Sequence, residues 1–112
     1  NRIHQIFLNI ILNAVQAVGQ KGEIRAYTRR KDFADKNGVR QQGLEVKIEN
    51  NGPKIPEEVQ KQIFDTFFTT KKEGLGLGLS IALNIINEHN GMINVESTSK
   101  QTSFIVYLPI ID

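Results

Sequence analysis

The sequence predicts an α+β fold, a two-layer sandwich in which a mixed, mostly antiparallel sheet packs on about three helices. Three observations carry this. Near the amino terminus, Ile3, Ile6, Phe7, Ile10, Ala14, Ala17 and Val18 recur at helical spacing. The pattern returns at Leu79, Ala82, Leu83 and Ile86, which share one helical face. The remaining ordered stretches are short runs of alternating polarity, so helices and strands are segregated along the chain rather than strictly interleaved.

The first helix is expected over 2–18, with Gly19 and Gly22 ending it. Residues 23–30 alternate (Ile24, Ala26 and Thr28 against Arg25, Tyr27 and Arg29) and read as a strand. Residues 31–43 are polar, with turn signals at Asp35, Asn37 and Gly38, and are expected to form a mobile hairpin connection. Strict alternation over 44–49 gives a second strand, closed by Asn50-Asn51-Gly52-Pro53. A short helix over 57–64 is started by Pro56 and has acids in its first turn. Residues 65–76 lack periodicity and read as a loop; a second long helix comes next over 77–90, stopped by Gly91. Strands over 92–97 and 104–108 complete the chain as a hairpin.

At 112 residues the chain fits one domain, 1–112, with an ordinary soluble composition of 39% hydrophobic and 23% charged residues. A net charge of +2, with cations dispersed among acids, gives no reason to expect nucleic acid as a partner. The absence of cysteine excludes disulfides, thiolate catalysis and cysteine-based metal sites. No apolar run approaches the roughly 18 residues of a membrane helix, so no direct membrane contact is expected. The amphipathic pattern begins at once, which predicts a fragment of a longer protein, cytoplasmic itself though its parent could be membrane-anchored.

Four constellations could carry chemistry. Asn9 and Asn13 stand four apart on the first helix, so their amides stack on one side, bordering the apolar face. Asparagine forms helices poorly, and amide oxygens are hard, neutral ligands of the kind Mg²⁺ accepts alongside water and phosphate. The plain alternative is hydrogen bonding to nearby backbone. Asn50 to Pro56 ends a strand in a turn whose side chains could meet a planar ring, with Ile55 packing on its face; an ordinary Asn-Gly turn is the plain alternative. Phe64 to Lys72 places aromatics at the root of a polar loop and sets Lys71 and Lys72 within reach of a phosphate, unless they are simply solvated. Last, Gly74-Leu75-Gly76-Leu77-Gly78 runs into a helix, combining close backbone approach with a helix N-terminus suited to phosphate. A capping turn is the plain alternative. The run is neither a dinucleotide fingerprint nor a P-loop.

In this order, the segments resemble the ATP-binding catalytic domain of sensor histidine kinases, of the GHKL superfamily, over nearly the whole chain. Leu8 to Ala14 is similar to the N box, Asn50 to Ile55 to the first glycine box, Ile63 to Phe68 to the F box, and Gly74 to Ser80 to the second glycine box. Ile85 to Ile93 is similar to the family's stretch after that box, and Gln101 to Phe104 with Leu108-Pro109 to its closing strand. The resemblance implies ATP and Mg²⁺ as cofactors, with Asn13 on the metal and Asn9 placing the phosphates. It implies a lid over about 65–77, mobile without ligand, in which Gly74, Gly76 and Gly78 form the hinge and the phosphate-facing wall, beside Leu75, Leu77 and Lys71. Asn50, Gly52, Ile55 and Thr102 fall at the adenine end, and His89 is given a structural role. The partners implied are a histidine phosphoacceptor and dimerisation domain of the same protein and a response regulator. The isolated domain is expected to be a monomer.

The chain departs from the family at three positions. The first glycine box usually reads Asp-x-Gly-x-Gly, whereas this chain has Asn50 and Lys54 at its ends; Gln101 replaces the glycine usual before Thr102. A neutral amide accepts a weaker hydrogen bond than a carboxylate, so nucleotide binding is expected to be weak. Gyrase, chaperone and mismatch-repair relatives place a water-activating glutamate where this chain has Asn9, which is neither acid nor base. Transfer to a histidine is therefore favoured over hydrolysis. A non-catalytic docking domain is the alternative that Asn50 and Lys54 support.

Overall fold

The computed structural model describes residues 2–65 and 78–110. Its elements are α1 (Ile3–Val18), β1 (Ile24–Arg30), β2 (Phe33–Ala34), β3 (Arg40–Gln41), β4 (Gly43–Asn50), α2 (Glu57–Gln60), α3 (Gly78–Glu88), β5 (Met92–Ser97) and β6 (Thr102–Pro109). The strands β1, β4, β6 and β5 form, in that order, one sheet whose pairings are all antiparallel. The predicted two-layer α+β sandwich is therefore what forms, with no parallel pair among the described strands.

One face of the sheet is covered by α1 and α3, which pack on each other. The core joins Ile6 and Ile10 of α1, Ile48 of β4, Ala82, Ile85 and Ile86 of α3, and Phe104, Val106 and Leu108 of β6. Phe64 meets Phe104 edge to face, with ring centroids 6.3 Å apart, a geometry that aromatic quadrupoles favour. The buried face of α3 differs slightly from the expected one, since Ile85 is fully buried while Leu83 stays half-buried outside the core. Residues Leu8, Ile11, Leu12 and Val15 form a second apolar stripe on α1, exposed and opposite the core. β1 is exposed along its whole length.

The ends of the elements explain other differences from the sequence reading. Gly19 ends α1 at φ +67, a conformation glycine adopts without strain. At the end of α3 the left-handed position is taken by Asn90 (φ 60) rather than Gly91. The N–H of Gly91 reaches the carbonyl of Ile86 at 2.9 Å, and that of Asn90 reaches Asn87 at 3.1 Å, the paired bonds of a Schellman ending. Gly91 is needed for another reason: a Cβ there would stand 2.4 Å from the Tyr107 carbonyl oxygen. The helix expected over 57–64 shrinks to Glu57–Gln60, because the chain then continues in tight turns, Gln62 bonding to Val59 and Asp65 to Gln62.

The stretch expected to be a hairpin connection does pair as one, and it holds a buried polar clasp. Strands β2 and β3 pair as a small hairpin around Asp35, which is 5% exposed. Its Oδ1 accepts from the N–H groups of Asn37 (2.9 Å) and Val39 (3.0 Å), and its Oδ2 from Gln41 (3.0 Å) and Asn90 (3.1 Å). The last bond ties the hairpin to the end of α3. These donors, the Gln41 amide foremost, hold the Asp35 carboxyl below the usual carboxylate range. A depressed folded-state value means stability that is present above the unfolded value and lost as pH falls through the folded one. Melting temperature is accordingly expected to drop on acidification from about pH 5 to 3, and Asp35→Asn should flatten part of that drop in a thermal scan.

The open face of the sheet carries a second charged group. Arg29 forks onto Glu45 at 2.7 and 3.4 Å, and Lys31 stands 3.8 Å away. Arg29 chiefly keeps the Glu45 carboxyl below its ordinary value. Phe33 stacks on Tyr107 at 5.6 Å, and burial pushes the Tyr107 phenol up.

Candidate nucleotide site

The candidate residues lie along one side of α1. Asn9 and Asn13 are both half-buried, as expected for positions bordering the core face. Gly78, the first residue of α3, sits against Asn9: a Cβ built on it would lie 4.0 Å from that of Asn9. The start of an 11-residue helix is thus beside the first asparagine, and its leading N–H groups have no intrahelical partners. At the other end of α1, Gly52 packs on the Ala17 carbonyl so closely that a Cβ would stand 2.9 Å from that oxygen and 3.0 Å from Asn50 Oδ1. Positions 9, 13 and 17 rise over about 12 Å of helix. α1 therefore acts as a ruler between two polar ends, the start of α3 and the turn after β4.

That turn is closely bonded. Asn50 is 3% exposed, and its Oδ1 accepts from the Gly52 N–H at 2.9 Å. Asn51 reaches back to β1, its Oδ1 accepting from the Glu23 N–H at 2.8 Å. The Ile55 N–H donates to Ser97 Oγ at 2.8 Å, and a 2.6 Å bond joins the hydroxyls of Ser97 and Thr102. Thr102 is 1% exposed and directly opposite Asn50 in the sheet register. The structure so brings Asn50, Gly52, Ile55 and Thr102 into one cluster. Ser97, which links two of them, is absent from the residues that the sequence singles out. Its signal is present all the same: Ile93, Val95 and Ser97 share the core-facing side of β5, and a hydroxyl among core positions needs a partner.

Other candidates resolve differently. Gln101 donates to Glu49 Oε1 at 3.1 Å, turning onto the open face of the sheet and away from the Asn50–Thr102 pair. Lys54 is exposed. His89 Nδ1 lies 2.8 Å from the Ile85 carbonyl; a carbonyl only accepts, so that nitrogen carries the proton and the ring serves the helix end. Lys71, Gly74, Leu75, Gly76 and Leu77, with most of the lid expected over 65–77, lie outside the described residues. A cleft of about 150 Å³ beside Asn50 is lined also by Glu23, Arg25, Glu49, Asn51, Lys100 and Gln101. It opens on the charged side and includes neither Asn9, Asn13 nor Thr102.

Among the described residues no group of three His, Cys, Asp or Glu side chains could hold a metal. The amide oxygens of Asn9 and Asn13 fit an ion that draws most of its ligands from phosphate and water, and they do not fit an all-protein cage.

The profile of the family described as "Histidine kinase-, DNA gyrase B-, and HSP90-like ATPase" matches residues 1–112. The chain belongs to this family. Within it, the chain is 41% identical over 114 residues to the sensory histidine kinase/phosphatase NtrB of Vibrio alginolyticus, covering 99% of this chain and 33% of NtrB. It is 44% identical over 109 residues to the signal transduction histidine-protein kinase AtoS of Escherichia coli, covering 96% of this chain and 17% of AtoS. The chain therefore spans a third or less of the curated relatives it matches. Among solved structures, the nucleotide-free catalytic domain of histidine kinase ThkA superposes with a TM-score of 0.79 at 38% identity, covering 96% of this chain and 66% of that one. A mycobacterial sensor histidine kinase, MprB, shares the fold at 23% identity, with a TM-score of 0.77 over 94% of this chain and 70% of that one. ThkA is also known in complex with the response regulator protein TrrA; there it superposes with a TM-score of 0.71 at 37% identity, over 96% of this chain and 28% of that one. The curated relatives named here, NtrB and AtoS, are histidine kinases, and no described helix here is long and apolar enough to cross a membrane.

Proposed function

We propose that residues 1–112 are the catalytic domain of a larger two-component histidine kinase, which binds Mg·ATP weakly and hands its γ-phosphate to a histidine on a separate phosphoacceptor domain. The observation that carries this reading is the alignment on α1, which sets Asn9 beside the start of α3 and Gly52 against its far end. Asn9 and Asn13 would face the phosphates and Asn13 would hold Mg²⁺, which supplies neutralisation of the charge developing in transfer. Asn50, Gly52, Ile55 and Thr102 would take the base. The glycine run from Gly74 to Gly78 and Lys71 join this site on the strength of the sequence resemblance.

With Asn9 neutral, water near the γ-phosphate has no general base, so the phosphoryl group is kept for another nucleophile. A response regulator would then receive it from that histidine. The docking-domain reading is favoured by Asn50 and Lys54 alone. A calorimetric titration with a non-hydrolysable ATP analogue separates the readings. Binding is expected to be at least about tenfold tighter with magnesium, and phosphate release from ATP should stay at the buffer background. Steady release by the domain alone would instead make it a hydrolase.

A further inference from the structure

The side of a base that the turn after β4 recognises depends on which atom of Asn50 is presented to it. Asn50 Oδ1 is committed to the Gly52 N–H at 2.9 Å. Turning the amide over would place the Nδ2 protons against that N–H, two donors with no acceptor between them. The turn cannot give way either, because Gly52 already packs on the Ala17 carbonyl and a Cβ there would stand 2.9 Å from it. The amide is therefore locked with Nδ2, a donor, as its outward end. The side-chain bond that the turn makes with Asn50 is taken up at Oδ1, and no described side-chain nitrogen or oxygen is both sealed from solvent and unbonded. Nδ2 is thus the donor end of a side chain that is 3% exposed and borders the cleft beside the turn.

Adenine offers an amino group at position 6, which needs an acceptor. A carboxylate has an oxygen for the turn and another for that amino group. The carboxamide has one oxygen, and the turn holds it. We propose that this pocket selects a purine carrying a carbonyl at position 6, hypoxanthine or guanine, over adenine. The proposal rests on the proposed function, in which Asn50 faces the base. The Thr102 and Ser97 hydroxyls do not oppose it, since a hydroxyl donates or accepts as needed.

The discriminating measurement is titration of the chain with Mg·ATP and Mg·ITP, whose bases differ at the 6 position and in the N1 proton that accompanies the carbonyl. ITP is expected to bind at least tenfold more tightly, about 1.4 kcal/mol, and GTP should behave like ITP if its 2-amino group is accommodated. Asn50→Asp keeps an oxygen for Gly52 and restores one for the amino group, so it should reverse the order. Equal or tighter binding of ATP by the unaltered chain overturns the proposal while leaving the site reading intact. So does a chain that binds neither nucleotide when Asn50→Asp binds ATP. Failure of both proteins to bind any of the three overturns the site reading as well.

Discussion

Replacing Asn13 by alanine should erase the magnesium dependence of nucleotide binding. In titrations with Mg·ATP or Mg·ITP, affinity is expected to fall about 10- to 100-fold. That is the effect of losing one contact to a charged group, worth roughly 1.5–3 kcal/mol. The ratio of dissociation constants with and without magnesium should collapse towards one. Asn13 lies mid-helix on α1 and is half-buried beside the core residue Ala14. Alanine is the better helix former by about 0.5 kcal/mol, so α1 should persist, and an unchanged far-UV spectrum together with lost binding would isolate the ligand role. Unchanged affinity with magnesium would remove Asn13 from the metal and with it the phosphate end of the proposed site. Asn9→Ala should weaken binding less, since Asn9 is assigned to placing phosphates rather than to the ion.

The residues legible in the sequence are those whose role is set by a period or a backbone requirement. The core face of α1 emerges from the spacing of Ile6, Ile10 and Ala14, all fully buried, and the same spacing puts Asn9 and Asn13 beside it. Gly52 is legible as a turn residue, although what demands glycine is the neighbouring Ala17 carbonyl, a contact no local pattern reveals. The two-residue strands Phe33–Ala34 and Arg40–Gln41 are too short to show alternation. Their order comes from Asp35, whose fourth hydrogen bond reaches Asn90 across 55 residues. Ser97 is hidden for a related reason: its partners, Ile55 and Thr102, meet it only once the sheet is formed. The second apolar stripe of α1, Leu8, Ile11, Leu12 and Val15, also recurs at helical spacing and stays exposed, because the sheet and α3 cover the face of Ile6, Ile10 and Ala14.

That covering layer is also where the largest loss of stability should arise. Phe104 is fully buried on β6, flanked in register by Ile48 and Val95 and met edge-on by Phe64. Phe104→Ala removes the transfer free energy of the ring and leaves a cavity, together about 3–5 kcal/mol. Against the roughly 5–15 kcal/mol of a typical domain this is a large share, and calorimetry should show a fall in Tm of roughly 15–25 °C. A loss below about 1 kcal/mol would mean that the sheet and helices repack freely around the gap, contrary to a core held between α1, α3 and β6. Phe104→Leu keeps most of the volume and should cost less. Thr102 lies two residues along the same strand and on the same face, opposite Asn50. If the leucine variant stays folded but loses discrimination between ATP and ITP, the core is what holds the end of β6 against the turn. If it keeps that discrimination, the bonds among Asn50, Gly52, Ser97 and Thr102 hold the base pocket on their own.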